Sequence, residues 1–403
     1  MHFLSLFERL LVNFACLRKG YQQSSEITKP LNPHFDLINW TIRLTTIVNL
    51  YRFVHLIIST DSRVNIYLGD PLYQSQDRGL LYSTMIFAMV VMFIAREMFL
   101  FLEANGYLTI LKVLNTLKSS NNQHFDHQMT PLKMSTFLRV LNFECLTICA
   151  SMFLSIPFIL ILLNCPLIVN LLSFSIPSLL IYALLWSISL CFSSIFLLNA
   201  IFAQGACIII CGTYYFFKLK SLCETIDSII THHYQQVKPR IDQLQVKSFL
   251  VDVTLYLNEI DLHIKTLRYV ILYFFLLITL NNNFYIFVGL IAKTKNEIVN
   301  NLISAYGVLV VLLISLLCYI ASDFVEMINY VACKLNHVIV NFNGLSIATK
   351  LKTIEFLDRS KSSYIGIKAG DFLILNKINF ILFLLENAST LLLLTVNLRP
   401  ILD

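Results

Sequence analysis

Long apolar segments alternate with polar stretches along the whole chain. A membrane-spanning helix needs about 20 consecutive, mostly apolar residues, and seven segments reach that length. They cover residues 37–59, 80–102, 137–164, 177–217, 269–291, 303–325 and 371–398. The pattern therefore predicts an all-α, polytopic membrane protein with seven transmembrane helices.

The fourth segment, 177–217, is long enough for one tilted helix or for two tightly joined spans. Basic residues distinguish the two interpretations because Lys and Arg concentrate on the cytoplasmic side of membrane proteins. With a single span, 20 Lys and Arg fall on the side of the amino terminus and five on the other. We therefore predict one span here, a cytoplasmic N-terminus and an extracellular C-terminus.

The polar stretches also carry helical patterns. Residues 1–36 read as an amphipathic cytoplasmic segment, with apolar residues at helical spacing from Phe3 to Leu17. Residues 218–268 show two such stripes separated by Pro239, predicting two helices that extend the fourth and fifth spans into the cytoplasm. The 326–370 region shows a further stripe and is interpreted as a cytoplasmic anchor. These stripes fit packing within the chain or a subunit interface, and the spacing is compatible with both.

Composition supports a membrane protein and argues against several functions. The chain is 57% hydrophobic and only 13% charged, with a mean hydropathy of +0.71. The net charge of +6 is explained by basic residues in the loops on one side of the membrane, so it gives no reason to expect nucleic-acid binding. Ten cysteines form no CxxC pair or metal-ligand cluster, and no nucleophile, acid or base has an activating partner nearby. We therefore expect no cofactor, no metal ion and no enzymatic activity.

The last apolar segment carries a recognisable motif. Thr390-Leu391 is followed by LLLTV and then by Asn397-Leu398. Insect gustatory receptors end in a span with Thr-Tyr, five mostly hydrophobic residues and Gln-Phe, which this tail resembles. Upstream, Gly370, Phe372 and Leu375 are similar to the stretch that opens that family's last helix. The chain resembles a divergent member of the gustatory and odorant receptor superfamily.

The resemblance implies a chemosensory, ligand-gated, non-selective cation channel of the plasma membrane. Four identical or related subunits would surround a pore lined by the last helix, residues 371–403, which also includes a short external tail. A small-molecule tastant would bind in the outer half of the six-helix bundle formed by residues 37–325. The main alternatives are a secondary transporter and another seven-span receptor, such as an odorant receptor subunit. Lipid is an expected partner in each case.

The last helix places several polar residues on one face. Eleven residues turn an α-helix through just over three turns, so Glu386 and Asn397 lie within roughly 20° of each other and about 16 Å apart along the axis. Thr390 falls near the same line. We predict that Asn397 and Leu398 form an outer constriction, that Leu394 helps to close it, and that Glu386 lies in the inner vestibule. Alternatively, Glu386 pairs with a base such as Lys377 or caps a break in the helix, and Asn397 meets lipid headgroups.

Polar and aromatic residues within the other spans are candidates for a ligand pocket. An aromatic-lined cavity with a few amides and hydroxyls is the usual form of a small-molecule site, although each residue also fits simple packing or interfacial anchoring. Acidic residues are scarce in the outer halves, which favours apolar or aromatic tastants over sugars. Inner-half charges such as Arg96, Glu97 and Glu144 are interpreted as structural pairs. The pocket candidates are Tyr182, Trp186, Asn281, Asn282, Asn283, Tyr285 and Tyr306.

Overall fold

The computed structural model describes ten stretches of the chain. They cover residues 2–21, 32–72, 78–119, 129–170, 177–235, 243–292, 297–341, 345–361, 367–371 and 373–402. The side chains of residues 398–402 lie outside the described set, so the predicted gate residue Leu398 has a described backbone only.

Helices account for nearly all of the described structure. The first six are α1 (His2–Asn13), α2 (Phe35–Ile58), α3 (Ser62–Tyr67), α4 (Arg78–Ala104), α5 (Ile110–Ser119) and α6 (Pro131–Asn170). The others are α7 (Pro177–Gln235), α8 (Gln243–Tyr273), α9 (Thr279–Ile286), α10 (Glu297–Asn341), α11 (Ile347–Lys361) and α12 (Lys377–Leu402). Two π-helical turns, Phe274–Ile278 and Phe287–Ala292, bracket α9.

The fourth apolar segment folds as one helix. α7 runs unbroken for 59 residues, about 90 Å at 1.5 Å per residue, and Pro177 occupies its first position, where a missing N–H costs nothing. The prediction of a single span that continues into a polar extension is confirmed. α8 runs into the fifth apolar segment in the same way.

Among the described residues, six helices are long and apolar enough to cross a membrane. They contain Arg78–Ala104, Pro131–Asn164, Ser178–Thr231, Leu267–Ala292, Asn300–Val340 and Lys377–Asn397. The first predicted span corresponds to α2, which has the length, at 24 residues, but is less apolar because it contains Arg43 and Arg52. The chain is a polytopic all-α membrane protein. Its orientation stays a prediction.

The amphipathic stripes of the polar regions pack against one another. α7, α8 and α10 bury Ile226, Leu257 and Leu335 in one core, where these side chains are at most 3% exposed. Phe7 of α1 and Leu114 of α5 are fully buried in the same core. The stripes therefore pack within the chain, which decides between the two interpretations of their spacing.

A short β-hairpin interrupts the all-α pattern just before α12. β1 (Lys368–Ala369) pairs antiparallel with β2 (Leu373–Ile374). Between them Gly370 adopts a φ of +67° and donates its N–H to the carbonyl of Arg268 at 2.8 Å. A positive φ favours glycine because it has no Cβ. The hairpin thus fixes the start of α12 to the end of α8, and α12 begins at Lys377, six residues after the apolar segment begins.

Most buried charges are paired, as predicted. Arg43 and Glu97 form a two-point contact between α2 and α4, at 3.1 Å and 2.5 Å. Arg96, fully buried, donates to Glu97 at 3.0 Å and to the carbonyl of Ala15 at 3.2 Å. Glu144 departs from the expectation, because its hydrogen-bond partner among the described residues is the hydroxyl of Thr213 rather than a base.

Candidate functional site

The predicted pore face of α12 is turned away from the rest of the chain. Glu386, Leu393 and Asn397 are exposed, and Thr390 is half-buried. Only 11% of the apolar part of α12 is buried, against 22–56% in the other five membrane-compatible helices. The side chain of Leu394 is half-buried. This helix therefore has a long face that no described part of the chain covers.

The opposite face of α12 anchors it to the bundle. Phe383 and Asn387 are buried at 6% and 7% exposure, one helical turn apart. Lys377 pairs with Glu326 of α10, so the alternative in which Lys377 neutralises Glu386 does not apply. The Asn397 and Thr390 side chains instead hydrogen-bond to carbonyls of their own helix, at 3.0 Å and 2.8 Å.

A cavity of about 150 Å³, which we name the tyrosine cavity, lies between α4, α6, α7, α9 and α10. Its apolar wall comes mainly from leucine, isoleucine and methionine, with Ala88 of α4 at one side. Two of the predicted pocket residues, Tyr285 and Tyr306, line it, and their rings meet edge to face at 5.5 Å. The other polar lining residues are Thr84 and Ser194.

The lining sets the chemistry of the cavity. An apolar cavity of roughly 150 Å³ can stay dry and hold a molecule of benzene's size. Thr84 donates to the carbonyl of Leu80 at 2.8 Å, so its hydroxyl hydrogen is already used. The Asn281 side chain forms a hydrogen bond with the Tyr285 hydroxyl, and the Tyr306 hydroxyl has no hydrogen-bond partner among the described residues. Both tyrosines line the cavity, with their hydroxyls among its polar groups. They can orient a small ligand that carries one polar group.

The three consecutive asparagines are all buried but do not line this cavity. Asn281, Asn282 and Asn283 are 6%, 1% and 2% exposed. Asn283 donates from Nδ2 to Oδ1 of Asn387 on α12 at 2.9 Å. The amide that lies closest in sequence to Tyr285 therefore connects the helix of the tyrosine cavity to the predicted pore helix.

The π-helical turns around α9 have no clear signal in the sequence. Phe274–Ile278 precedes α9 and Phe287–Ala292 follows it, and such wide turns occur frequently at functional sites. The fifth apolar segment reads as a regular span because its residues are apolar on both sides of the asparagines. Only the asparagines themselves mark the irregularity.

Tyr182 and Trp186 lie beside the loop that follows α2. Tyr182 packs edge to face on Tyr67 at 5.4 Å, and the indole of Trp186 donates to the Tyr67 carbonyl at 3.2 Å. The Arg52 guanidinium lies 5.1 Å from the centre of the Trp186 ring. Their contacts hold α3 and its loop in place, and neither residue lines the tyrosine cavity.

Asp70 fixes this loop over the cavity. Its carboxylate is fully buried, pairs with Arg78 at 2.8 Å and accepts hydrogen bonds from the Tyr82 hydroxyl and, at 2.8 Å, from the N–H of Leu72. Burial raises the pKa of Asp70, while Tyr82 and Arg78 oppose that shift. Leu72 is thereby held as part of the cavity wall.

Gly69 allows the loop to approach α7 closely. Its φ is +59°, and a Cβ at this position would lie 2.5 Å from the backbone of Tyr182. Any side chain here would push the loop away from the helix. Arg52 adds two hydrogen bonds to the same turn, donating to the carbonyls of Leu68 and Gly69 at 2.7 Å and 2.8 Å.

The fold of this chain is similar to that of solved structures of another protein. No family model matches the sequence, and no curated protein matches it significantly. The chain is similar to the insect olfactory receptor OR5 from Machilis hrabei in complex with eugenol, with a TM-score of 0.67, 10% identity and 98% of both chains covered. A second structure of the same receptor gives the same TM-score and coverage at 11% identity. This chain therefore has, over almost its whole length, the fold of an insect olfactory receptor.

Proposed function

We propose that this chain is a chemosensory receptor of the insect olfactory and gustatory receptor superfamily. It acts as a ligand-gated, non-selective cation channel in the plasma membrane and has no enzymatic activity. The observation that carries the proposal is the tyrosine cavity, an apolar site bordered by two tyrosines in a chain with this fold. The similar receptor from Machilis hrabei has been solved with eugenol, a small aromatic phenol.

The ligand class follows from the cavity wall. Burial of apolar surface supplies about 25 cal/mol per Å², and a lining of leucine and methionine offers no partner for a charge or for several hydroxyls. Tyr285 and Tyr306 suit one donor or acceptor on the ligand. We therefore expect a neutral, small, apolar or aromatic molecule.

Four copies assembled around α12 would use its uncovered face. A carboxylate at membrane depth is tolerated mainly when it faces water or protein, and Glu386 is exposed on the isolated chain. In a ring of four, Glu386 would face an aqueous pore and attract cations. Asn397 would form a ring of amides nearer the mouth.

The hydrogen bond between Asn283 and Asn387 offers a route from ligand to pore. Tyr285 lines the cavity two residues beyond Asn283, so a ligand that moves the tyrosine also acts on the helix that holds Asn387. Two-state elements of this kind can convert small shifts at a site into a change elsewhere.

A gustatory rather than olfactory role is the finer part of the proposal. Its support is the tail motif, in which Thr390 is unchanged and Asn397 stands where gustatory receptors have a glutamine. A tastant is accordingly the expected stimulus.

Whole-cell recording from cells that express this chain tests the proposal, with eugenol and related small aromatics as probes. We expect a saturable cation current in the wild type and none in Ala88→Leu, which fills the cavity. The matched control is Ala200→Leu, at a buried α7 alanine that does not line the cavity. A purified protein that binds the probe yet stays monomeric and conducts nothing in bilayers would contradict the channel.

A further inference from the structure

A second cavity, of about 350 Å³, lies nearer the polar extensions of the bundle. We name it the glutamate cavity after Glu144 of α6. α7, α8, the first π-helical turn and α10 complete its wall together with residues next to the hairpin. Five phenylalanines contribute to it. They are Phe216, Phe217, Phe274, Phe275 and Phe324.

Only one of the two carboxylate oxygens of Glu144 has a hydrogen-bond partner among the described residues. Its Oε1 accepts a hydrogen bond from the Thr213 hydroxyl at 2.6 Å, whereas Oε2 is buried and accepts none from any described residue. A buried carboxylate costs several kcal/mol unless a cation or further donors compensate it. The described chain supplies one neutral donor, so the carboxylate keeps an unused capacity for a positive group.

The lining of the cavity contains acidic side chains and no basic one. Asp323 of α10 is a second lining carboxylate. Lys377 interacts with Asp323 but is already paired with Glu326. Phenylalanine rings around the carboxylates add faces that attract cations. Charge and lining therefore favour the same kind of occupant.

We propose that the glutamate cavity binds a hydrophobic organic amine in its protonated form. The ammonium pairs with Glu144, and the apolar body packs against the phenylalanines. This site differs from the tyrosine cavity in position and in ligand charge, so it does not depend on the function proposed above.

An occupant here would also touch the support of α12. Phe275 lines the cavity and packs edge to face on Phe383 of α12, with ring centres 5.2 Å apart. Leu375, another lining residue, lies two residues before α12 begins. If the chain is a channel, the amine acts as a modulator of the same pore.

The wall offers a way to close the cavity without disturbing its neighbours. A Cβ added at Gly205 or Gly212 of α7 would meet nothing within 4 Å beyond its own helix, and both glycines line the cavity. Replacing a mid-helix glycine also favours the helix, because glycine is a poor helix former. Gly212→Leu should therefore occupy the space and keep the fold.

Saturation binding of tritiated 4-phenylbutylamine to the purified full-length protein tests the proposal. The control ligand is 4-phenylbutan-1-ol, which has a similar shape and no charge. We expect saturable binding of one amine per chain, about thirtyfold tighter than the alcohol, as for a buried charge pair worth 2 kcal/mol. Glu144→Gln should remove this preference, and Gly212→Leu should abolish binding of both.

The matched control is Ala88→Leu, which fills the tyrosine cavity and should leave amine binding unchanged. Equal affinity for amine and alcohol in the wild type would overturn the proposal even if the Glu144 variant failed to fold. A preference that survives Glu144→Gln would do the same. So would a copurified lipid that fills the cavity and that saturating amine does not displace.

Discussion

The tyrosine cavity and the glutamate cavity share α6, α7 and α10, yet they differ in size and charge. The first is about 150 Å³ and polar only through hydroxyls, whereas the second is about 350 Å³ and carries two carboxylates. An apolar wall selects by shape, because all of its binding energy comes from burial. A buried carboxylate selects by charge, because it costs free energy until it is paired. One bundle can therefore separate neutral ligands from cationic ones.

Both cavities reach α12 by different contacts. The hydrogen bond between Asn283 and Asn387 serves the tyrosine cavity, and the ring contact between Phe275 and Phe383 serves the glutamate cavity. Asn387 and Phe383 are one turn apart on the same buried face. We therefore expect two separate binding sites that act on the same helix.

The largest effect should come from filling each cavity in turn. Ala88→Leu should abolish the current evoked by small aromatics at any soluble concentration and leave amine binding unchanged. Gly212→Leu should abolish amine binding and leave the current evoked by small aromatics unchanged. The reason is loss of space in one cavity only. Concentration–response curves for the aromatic probe and binding curves for the amine on both variants check this. A variant that removes both the current and amine binding would show that the two cavities are not independent.

The second effect is the pH dependence of the free energy of unfolding, which has a different origin from amine binding. Burial beside Lys218 lowers the pKa of His263 from 6.5 to about 4, and its Nδ1 contacts the Tyr215 hydroxyl. Because the unfolded chain takes up the proton more readily, the free energy of unfolding should fall as the pH drops from about 6.5 to 4, by about 3 kcal/mol in total. Above pH 6.5 it should be flat with respect to this group.

Thermal unfolding of the purified protein between pH 4 and 8 measures that slope. His263→Gln, which cannot be protonated, is the matched variant and should reduce the slope in this window. A wild-type protein equally stable at pH 4.5 and pH 7 would show that His263 is not held neutral by burial.

A smaller effect tests the link between the tyrosine cavity and α12. Asn387→Ala leaves the buried amide of Asn283 without its acceptor, at a cost of about 1–3 kcal/mol. We expect the half-maximal concentration of an aromatic probe to shift about tenfold while amine binding stays unchanged. Thr395→Ala is the control, because Thr395 hydrogen-bonds only to its own helix among the described residues. An unchanged concentration–response curve would remove this hydrogen bond from the gating route.

The smallest effect should follow Glu386→Gln. The side chain is exposed on the isolated chain, so stability should change by less than about 0.5 kcal/mol. The cation preference of the pore should fall by about twofold or more, because a ring of four carboxylates loses its charge. Reversal potentials in mixed salts measure it. The same preference in both proteins would exclude Glu386 from ion selection.

Much of the fold could be predicted because apolar length and helical spacing are local properties. The single helix through 177–217 and the helical extensions follow from patterns such as Leu222 and Ile226, which are buried as their spacing indicates. The helix that is hardest to predict is α2, because Arg43 and Arg52 can be accommodated within it only through partners on other elements. A sequence does not show which loop will supply those partners.

The site was harder to predict because it depends on which faces meet. Tyr285 and Tyr306 belong to different helices, α9 and α10, and only the packing of the bundle brings their ring centres to 5.5 Å. Trp186 is also an aromatic residue within a span, but its indole contacts the Tyr67 carbonyl at the end of α3 and does not line the cavity. Glu144 reads as one more inner charge, and only the absence of a base among its described neighbours distinguishes it.

The π-helical turns on both sides of α9 offset its helical phase from that of the helices before and after it. A π-helical turn holds one residue more than an α-helical turn, and when such a turn moves along a helix by one position, the residue that it passes rotates by about 100°. Thr279–Ile286 lies between two of them. Asn283 and Tyr285 therefore belong to one short segment whose orientation is set by the two π-helical turns rather than by the phase of α8.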